Sequence, residues 1–100
     1  MEIGIEQNEK AIRVVSRGDI DHEGAEALKK AVDGLSFNGR TELVFDFRGV
    51  TYVGSAGLGK LLLFYKRLSA QRVSMRIEAA PPSIQNLLKE LRMDTLFSVS

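Results

Sequence analysis

The sequence predicts an α/β fold, a mixed β-sheet of about four to five strands (an N-terminal hairpin plus parallel strands) with helices packed on it. Three observations predict it: two alternating apolar stretches near the N-terminus, three segments with helical apolar spacing, and short β-type runs between those segments. Strands separated by helices lie parallel in one sheet, joined by right-handed crossovers. One hundred residues, 44% of them hydrophobic, suit a single domain over 1–100 with one core. At that length folding removes roughly two-thirds of the extended chain's surface from water, enough for a core without disulfides or metal.

Met1 to Ser16 carries Ile3/Ile5 and Ile12/Val14 around the polar turn Gln7-Asn8-Glu9-Lys10, which predicts a β-hairpin. After Gly18, apolar positions at Ala25, Leu28, Ala31, Val32 and Leu35 follow helical spacing, with acids early and Lys29/Lys30 late, as the helix dipole favours. The first helix is expected from Asp21 to Leu35. Asn38-Gly39 marks a turn, and Glu42-Leu43-Val44-Phe45-Asp46-Phe47 reads as a short central strand, buried on both faces. Leu58, Leu61, Leu62, Tyr65 and Leu68 predict a second helix, with Leu63 and Phe64 widening its buried face. Arg72 to Glu78 alternates as a strand with Val73, Met75 and Ile77 on one side, and Pro81-Pro82-Ser83 stops it. Pro82 and Ser83 open a third helix with Ile84, Leu87, Leu88 and Leu91 on one face, and Thr95 to Ser100 closes the chain. The expected order is ββαβαβα. No internal repeat, low-complexity tract or linker interrupts it.

Composition narrows the function. The 14 basic and 13 acidic residues leave a formal charge of +1, which gives no long-range field for nucleic acid or anionic lipid. The absence of cysteine removes disulfides, thiolate catalysis and sulfur-ligated zinc, and it fits a reducing compartment. The first residues are polar and of mixed charge, without the apolar stretch of a signal peptide, and no apolar run reaches bilayer-spanning length. A cytoplasmic location without membrane insertion is expected, and no cofactor.

In an open α/β sheet, chemistry gathers beyond the carboxyl ends of the strands. That place holds Thr51-Tyr52-Val53-Gly54-Ser55-Ala56-Gly57-Leu58-Gly59-Lys60. Glycines and small residues at a strand-to-helix junction allow a tight turn and leave the Ser55 hydroxyl exposed. As an N-cap or first-turn residue, Ser55 stands where free N–H groups and the positive end of the helix dipole accept an anion. Helix capping alone also explains a serine there.

The stretch from Val44 to Gly59, VFDFRGVTYVGSAGLG, resembles the STAS signature: a strand ending in aspartate, a Gly-Val turn, then serine and glycine opening a helix. Gly18-Asp19-Ile20-Asp21 is similar to the family's other marked stretch, and Met93-Asp94-Thr95-Leu96-Phe97 to its usual ending. The resemblance covers nearly the whole chain and is to the anti-sigma-factor antagonists within the family. It implies that Ser55 is phosphorylated by a partner that is both an anti-sigma factor and a histidine-kinase-like serine kinase. Only the unphosphorylated form binds that partner tightly, and a serine phosphatase resets the switch. Asp21 is then a contact in partner recognition or phosphotransfer. The implied partner-binding surface comprises Asp19, Asp21, His22, Glu23, Thr51, Gly54, Ser55, Ala56, Gly57 and Lys60, with Asp46 and Gly49 shaping the turn that follows the central strand.

Two residues depart from the family pattern. Gly54 stands where an acid often precedes the serine, and Lys60 where the family commonly has an apolar residue, either meeting a partner or simply solvated. Other readings are weaker. Gly54 to Lys60 fits the G-x-x-x-x-G-K spacing of a phosphate-binding loop, but Leu61 replaces the required Ser/Thr, and the apolar spacing puts Gly59 and Lys60 inside the helix. His22, the only histidine, could join Ser55 and an acid in a triad, with no oxyanion-hole motif to support it. Asp19, Asp21, Glu23 and Glu26 could suggest a metal site but suit a helix N-terminus better. Finally, STAS domains also serve as unphosphorylated adaptors beside lipid-transport ATPases or in secretion and biofilm signalling, which Ala56 and Gly54 leave open.

Overall fold

The computed structural model describes residues 1–100. β1 (Glu2–Gln7) and β2 (Ala11–Ile20) form the expected antiparallel hairpin. Its turn is closed by Asn8 Oδ1, which accepts from the backbone N–H of Lys10 and of Ala11 at 2.8 Å each. Then follow α1 (His22–Asp33), β3 (Glu42–Val53), α2 (Ser55–Ala70), β4 (Ser74–Glu78), α3 (Pro82–Glu90), a 3₁₀ turn (Met93–Thr95) and β5 (Ser98–Val99). The strands form one sheet in the order β1-β2-β3-β4-β5, parallel from β2 onward. β3 is central, as its composition predicts.

Alternation divides the sheet into two unlike faces. Ile12, Val14, Leu43, Phe45, Met75 and Ile77 point toward the helices and join Leu28, Leu61, Phe64, Ile84 and Leu88 in a single core. The Phe45 and Phe64 rings stack with centroids 5.6 Å apart, which pins α2 across the middle strand. The opposite face has no helical cover. Val44 and Asp46 are buried there nonetheless, because Arg13 and Arg76 flank Val44 in register and their aliphatic stems cover apolar surface. The expected burial of β3 on both faces is met by charged side chains on one of them.

Those side chains form a ladder. Arg13 reaches Asp46 Oδ2 at 3.0 Å and Glu78 Oε1 at 2.9 Å, and Arg76 reaches Glu78 Oε2 at 2.9 Å and also Glu42. Burial pushes the Asp46 carboxyl up, but the Arg48 N–H and the Arg13 guanidinium outweigh it and hold Asp46 below the usual carboxylate range. Glu78 is likewise held low, by its hydrogen bonds to Arg76 and then Arg13.

Several boundaries differ from expectation. β3 does not end at Phe47 but continues to Val53, paired with β2 as far as Ile20↔Val53. The pairing steps from Val15↔Asp46 to Arg17↔Gly49, so that Phe47 and Arg48 together face Ser16. This is a bulge inside a strand. Asp46 and Gly49, expected in a turn, therefore shape that bulge: Asp46 Oδ1 accepts from Arg48 N at 3.0 Å, and a Cβ at Gly49 would lie 2.7 Å from Arg17 Cγ. Asp and Gly are common to turns and bulges, which is why the pattern misled. β2 likewise runs through Gly18-Asp19-Ile20 instead of ending at Ser16. Asp21 precedes α1 as its cap, and the helix stops at Asp33, short of Leu35, where Gly34 follows. β4 starts at Ser74 because Arg72 takes a left-handed φ of 60°. β5 was absent from the expected order; two residues are too few to show a period.

Candidate functional site at the paired helix starts

The extension of β3 decides where the site lies. β2 and β3 end side by side at Ile20 and Val53, and the backbone N–H of Gly54 donates to the Ile20 carbonyl at 3.0 Å, carrying the pairing one step further. Each strand then turns directly into a helix, so the starts of α1 and α2 share one end of the sheet.

A glycine seats each start. A Cβ at Gly24 would lie 2.3 Å from the Asp19 carbonyl oxygen. One at Gly57 would lie 2.6 Å from Ile20 Cγ2 and 3.0 Å from the Ile20 carbonyl oxygen. Both glycines stand three residues after their helix cap, Asp21 and Gly54. No side chain could be added at either position without moving the helix off the strand end.

Asp21 Oδ1 accepts from the backbone N–H of Gly24 at 2.8 Å, and Glu23 adds a carboxylate to the first turn of α1. That start is satisfied by its own sequence. Gly54 offers α2 no side chain, and the first turn of α2 contains no acid. The backbone N–H groups of Ser55, Ala56 and Gly57 find no acceptor in the chain. Ser55 is the first residue of α2, not its cap, and is exposed, so its hydroxyl stands at the positive end of the dipole.

The surrounding surface is polar and mostly exposed. Asp19, Asp21, His22, Glu23 and Thr51 all face solvent, and Thr51 Oγ1 donates to Asp19 Oδ1 at 2.6 Å, tying the last turns of β3 and β2 together. His22 makes no side-chain hydrogen bond, and Ala56 is half-buried against the core. Lys60 lies in the second turn of α2 and turns to Glu26 of α1, with Nζ 3.2 Å from Oε2. It is thus neither freely solvated nor aimed at the helix start, and the phosphate-binding-loop reading of Gly54 to Lys60 loses its lysine. Helix begins at Ser55, so Gly59 also lies within it and not in a loop.

Sequence reasoning missed Tyr52. The residue is 54% exposed, and a Cβ at Gly54 would lie 2.9 Å from its hydroxyl and 3.1 Å from its ring. The aromatic ring thus overlies the residue where an acid was expected, and the glycine is what makes room for it. The available signal was that absence of a side chain at Gly54 beside an aromatic residue two positions earlier.

A family model described as "Mlab, STAS domain" matches residues 3–98. The chain belongs to the STAS family. Among solved structures, the STAS chain is similar to the anti-sigma factor antagonist SpoIIAA in its unphosphorylated form, at 15% identity and a TM-score of 0.81, covering 99% of this chain and 88% of that one. An anti-sigma factor antagonist from Mycobacterium paratuberculosis gives 23% identity and a TM-score of 0.81, with 98% and 83% covered. The STAS domain of a SulP transporter from Vibrio cholerae gives 14% identity and a TM-score of 0.72, with 94% and 74% covered. At these identities the likeness concerns the fold. No helix of the chain is long and apolar enough to cross a membrane.

Proposed function

We propose that this STAS domain is an antagonist-type phospho-switch, binding an anti-sigma factor with serine-kinase activity while Ser55 is free and leaving it once Ser55 is phosphorylated. The observation that supports it best is the exposed Ser55 hydroxyl at the uncapped start of α2. In the transfer step the Ser55 Oγ attacks the γ-phosphorus of ATP, its proton passes to a basic group of the kinase or to water, and ADP departs as the Pγ–O bond breaks. The product carries about −1.5 to −2 charges. Within the domain that charge meets the unpartnered N–H groups of Ser55, Ala56 and Gly57, which favour it. At the interface it joins Asp19, Asp21 and Glu23, and a docked partner would have to strip water from the whole cluster. Phosphorylation therefore acts on association and leaves the fold in place. A serine phosphatase completes the cycle.

The test is phosphate transfer from ATP by candidate histidine-kinase-like ATPases of the same organism. Incorporation that disappears in Ser55→Ala is expected. Labelling that persists in Ser55→Ala rules out this acceptor. A second reading, an adaptor that is never phosphorylated, is favoured by Gly54 and the Tyr52 ring over it, since no carboxylate stands beside the serine to orient its hydroxyl. Stable association with a kinase-like or transport ATPase, with no labelling and no effect of Ser55→Asp, would select that reading.

A further inference from the structure

The turn between α1 and β3 has a chemistry of its own. Asn38 and Gly39 both take left-handed φ, 48° and 86°, and the N–H of Arg40 donates to the Phe37 carbonyl at 2.9 Å to close them into a tight turn. Two positive φ values in succession select Asn-Gly, because both residues enter that region at low cost. The same pair is the one least protected against attack of the backbone on the side-chain amide, since the ring so formed is small and glycine leaves the attacking nitrogen uncrowded. A Cβ at Gly39 would meet nothing within 4 Å, so no neighbouring element shields that nitrogen. Both residues are exposed, and a surface turn closed by a single backbone bond opens readily.

The other candidate residues are held. Asn8 Oδ1 accepts from the backbone N–H of Lys10 and of Ala11 at 2.8 Å each, and Glu9 follows it with a side chain. Asn86 lies within α3, whose geometry points the next backbone N–H along the helix axis and away from the side-chain carbon. The related pair Asp33-Gly34 is protected by charge: Lys29 first, and Arg67 with it, hold the Asp33 carboxyl below its usual range, and a carboxylate anion resists a nucleophile. Asn38 has neither defence. Its Oδ1 meets only the exposed Ser36 hydroxyl, at 3.2 Å.

We propose that Asn38 is a site of spontaneous deamidation, singled out by this turn from the three asparagines of the chain. The backbone nitrogen of Gly39 bonds to Asn38 Cγ, the Cγ–Nδ2 bond breaks, and the amide leaves as ammonia with the proton that the nitrogen gives up. Water then opens the cyclic imide. Cleavage at Cγ leaves aspartate, and cleavage at the backbone carbonyl leaves isoaspartate, with the chain running through the side-chain carbons. Either product adds a carboxylate that cancels the formal charge of +1. The isoaspartate form also lengthens the backbone beside Phe37, which packs against the core, and beside Arg40, whose Nε donates to the Asn8 carbonyl at 2.6 Å. It therefore loosens the tie between this turn and the β1–β2 hairpin. The turn precedes β3, at the end of the sheet opposite the helix starts, so the inference does not depend on Ser55 being phosphorylated.

The test is prolonged incubation of the whole folded chain at mildly alkaline pH, followed by tryptic digestion and mass spectrometry. The peptide from Ala31 to Arg40 contains Asn38 and neither of the other asparagines. It should gain the mass of an amide-to-acid exchange and split into two isomers, whereas rearrangement at Asp33 leaves its mass unchanged. Asn38 should convert about tenfold or more faster than Asn8, whose two hydrogen bonds must break first. Gly39→Ala should slow the conversion several-fold by crowding the nitrogen. Should that variant disturb the turn, Asn38→Gln, which must close a larger ring, should leave the peptide unconverted with the fold intact. Equal conversion of all three asparagines, conversion led by Asn8 or Asn86, an undiminished rate in Asn38→Gln, or a chain in which all three stay intact would each overturn the proposal.

Discussion

The starts of α1 and α2 are built to the same plan and finished in opposite ways. Each follows the end of a parallel strand, and each is pressed onto that end by a glycine three residues past its cap, Gly24 or Gly57. Asp21 and Glu23 then satisfy α1 with carboxylates, whereas Gly54 and Ser55 leave α2 with free N–H groups and a hydroxyl. Stability alone would cap both, since a cap contributes about 1 kcal/mol. The difference leaves the first N–H groups of α2 free to meet an anion, and under the proposed function that anion is a phosphate on Ser55.

The shared plan can be broken first. Gly24→Ala would force a Cβ to 2.3 Å from a backbone oxygen, which cannot swing away as a side chain could. It should cost about 3 kcal/mol in denaturant unfolding; a loss below 1 kcal/mol would show that the start of α1 is not seated as described.

The uncovered sheet face sets a control of about 2 kcal/mol remote from both helices. Asp46→Asn removes a charge-assisted bond to Arg13 and should lower stability near neutral pH by about that amount. Asp46 and Glu78 are held below their unfolded values, so the stability they lend is present above the usual carboxylate range and is lost as pH falls through their lowered values. The natural chain should therefore lose stability steeply below about pH 4, and Asp46→Asn should flatten that slope while leaving Ser55 chemistry intact. Parallel acid profiles for the two proteins would contradict the ladder.

The cap is the next difference to test. Asp21→Ala should cost about 1 kcal/mol, against almost nothing for Gly54→Ala apart from displacement of the Tyr52 ring. Gly59 sharpens the contrast within α2 itself. A Cβ there meets nothing within 4 Å, unlike one at Gly57. Gly59→Ala should stabilise the domain by about 0.8 kcal/mol through helix propensity alone.

How far these features could be read from the residues depends on their length. Eleven-residue patterns such as Ala25 to Leu35 and Leu58 to Leu68 carry their period plainly and give the core residues Leu28, Leu61, Phe64 and Leu68, while Phe45, Met75 and Ile77 follow from short strand-type runs. The bulge at Phe47 and Arg48 could not be read, because an aspartate two residues before a backbone N–H it accepts from looks the same in a turn and in a strand. The site stretch was legible as a strand-to-helix junction with Ser55 at its mouth. Its pairing with α1 was not, because Gly54 N reaching the Ile20 carbonyl and Gly57 resting on Ile20 are contacts across more than thirty residues of chain. Lys60 on Glu26 escaped for the same reason, whereas Tyr52 over Gly54 is a local contact whose signal, a glycine two residues after an aromatic, was there to read.

The smallest expected change in stability tests the proposal hardest. A carboxylate at residue 55 faces three free N–H groups and the positive end of α2, which together favour it by about 0.5 kcal/mol at an exposed position. Ser55→Asp should therefore melt at or slightly above the natural chain, while its affinity for the kinase partner falls by about tenfold or more as charge accumulates beside Asp19 and Asp21. The converse change at the capped helix, Glu23→Gln, removes a favourable charge and should move stability the other way by a similar amount. If Ser55→Asp instead unfolds the domain, the open start of α2 is not the anion-tolerant site its geometry describes, and phosphorylation would act by disrupting the fold.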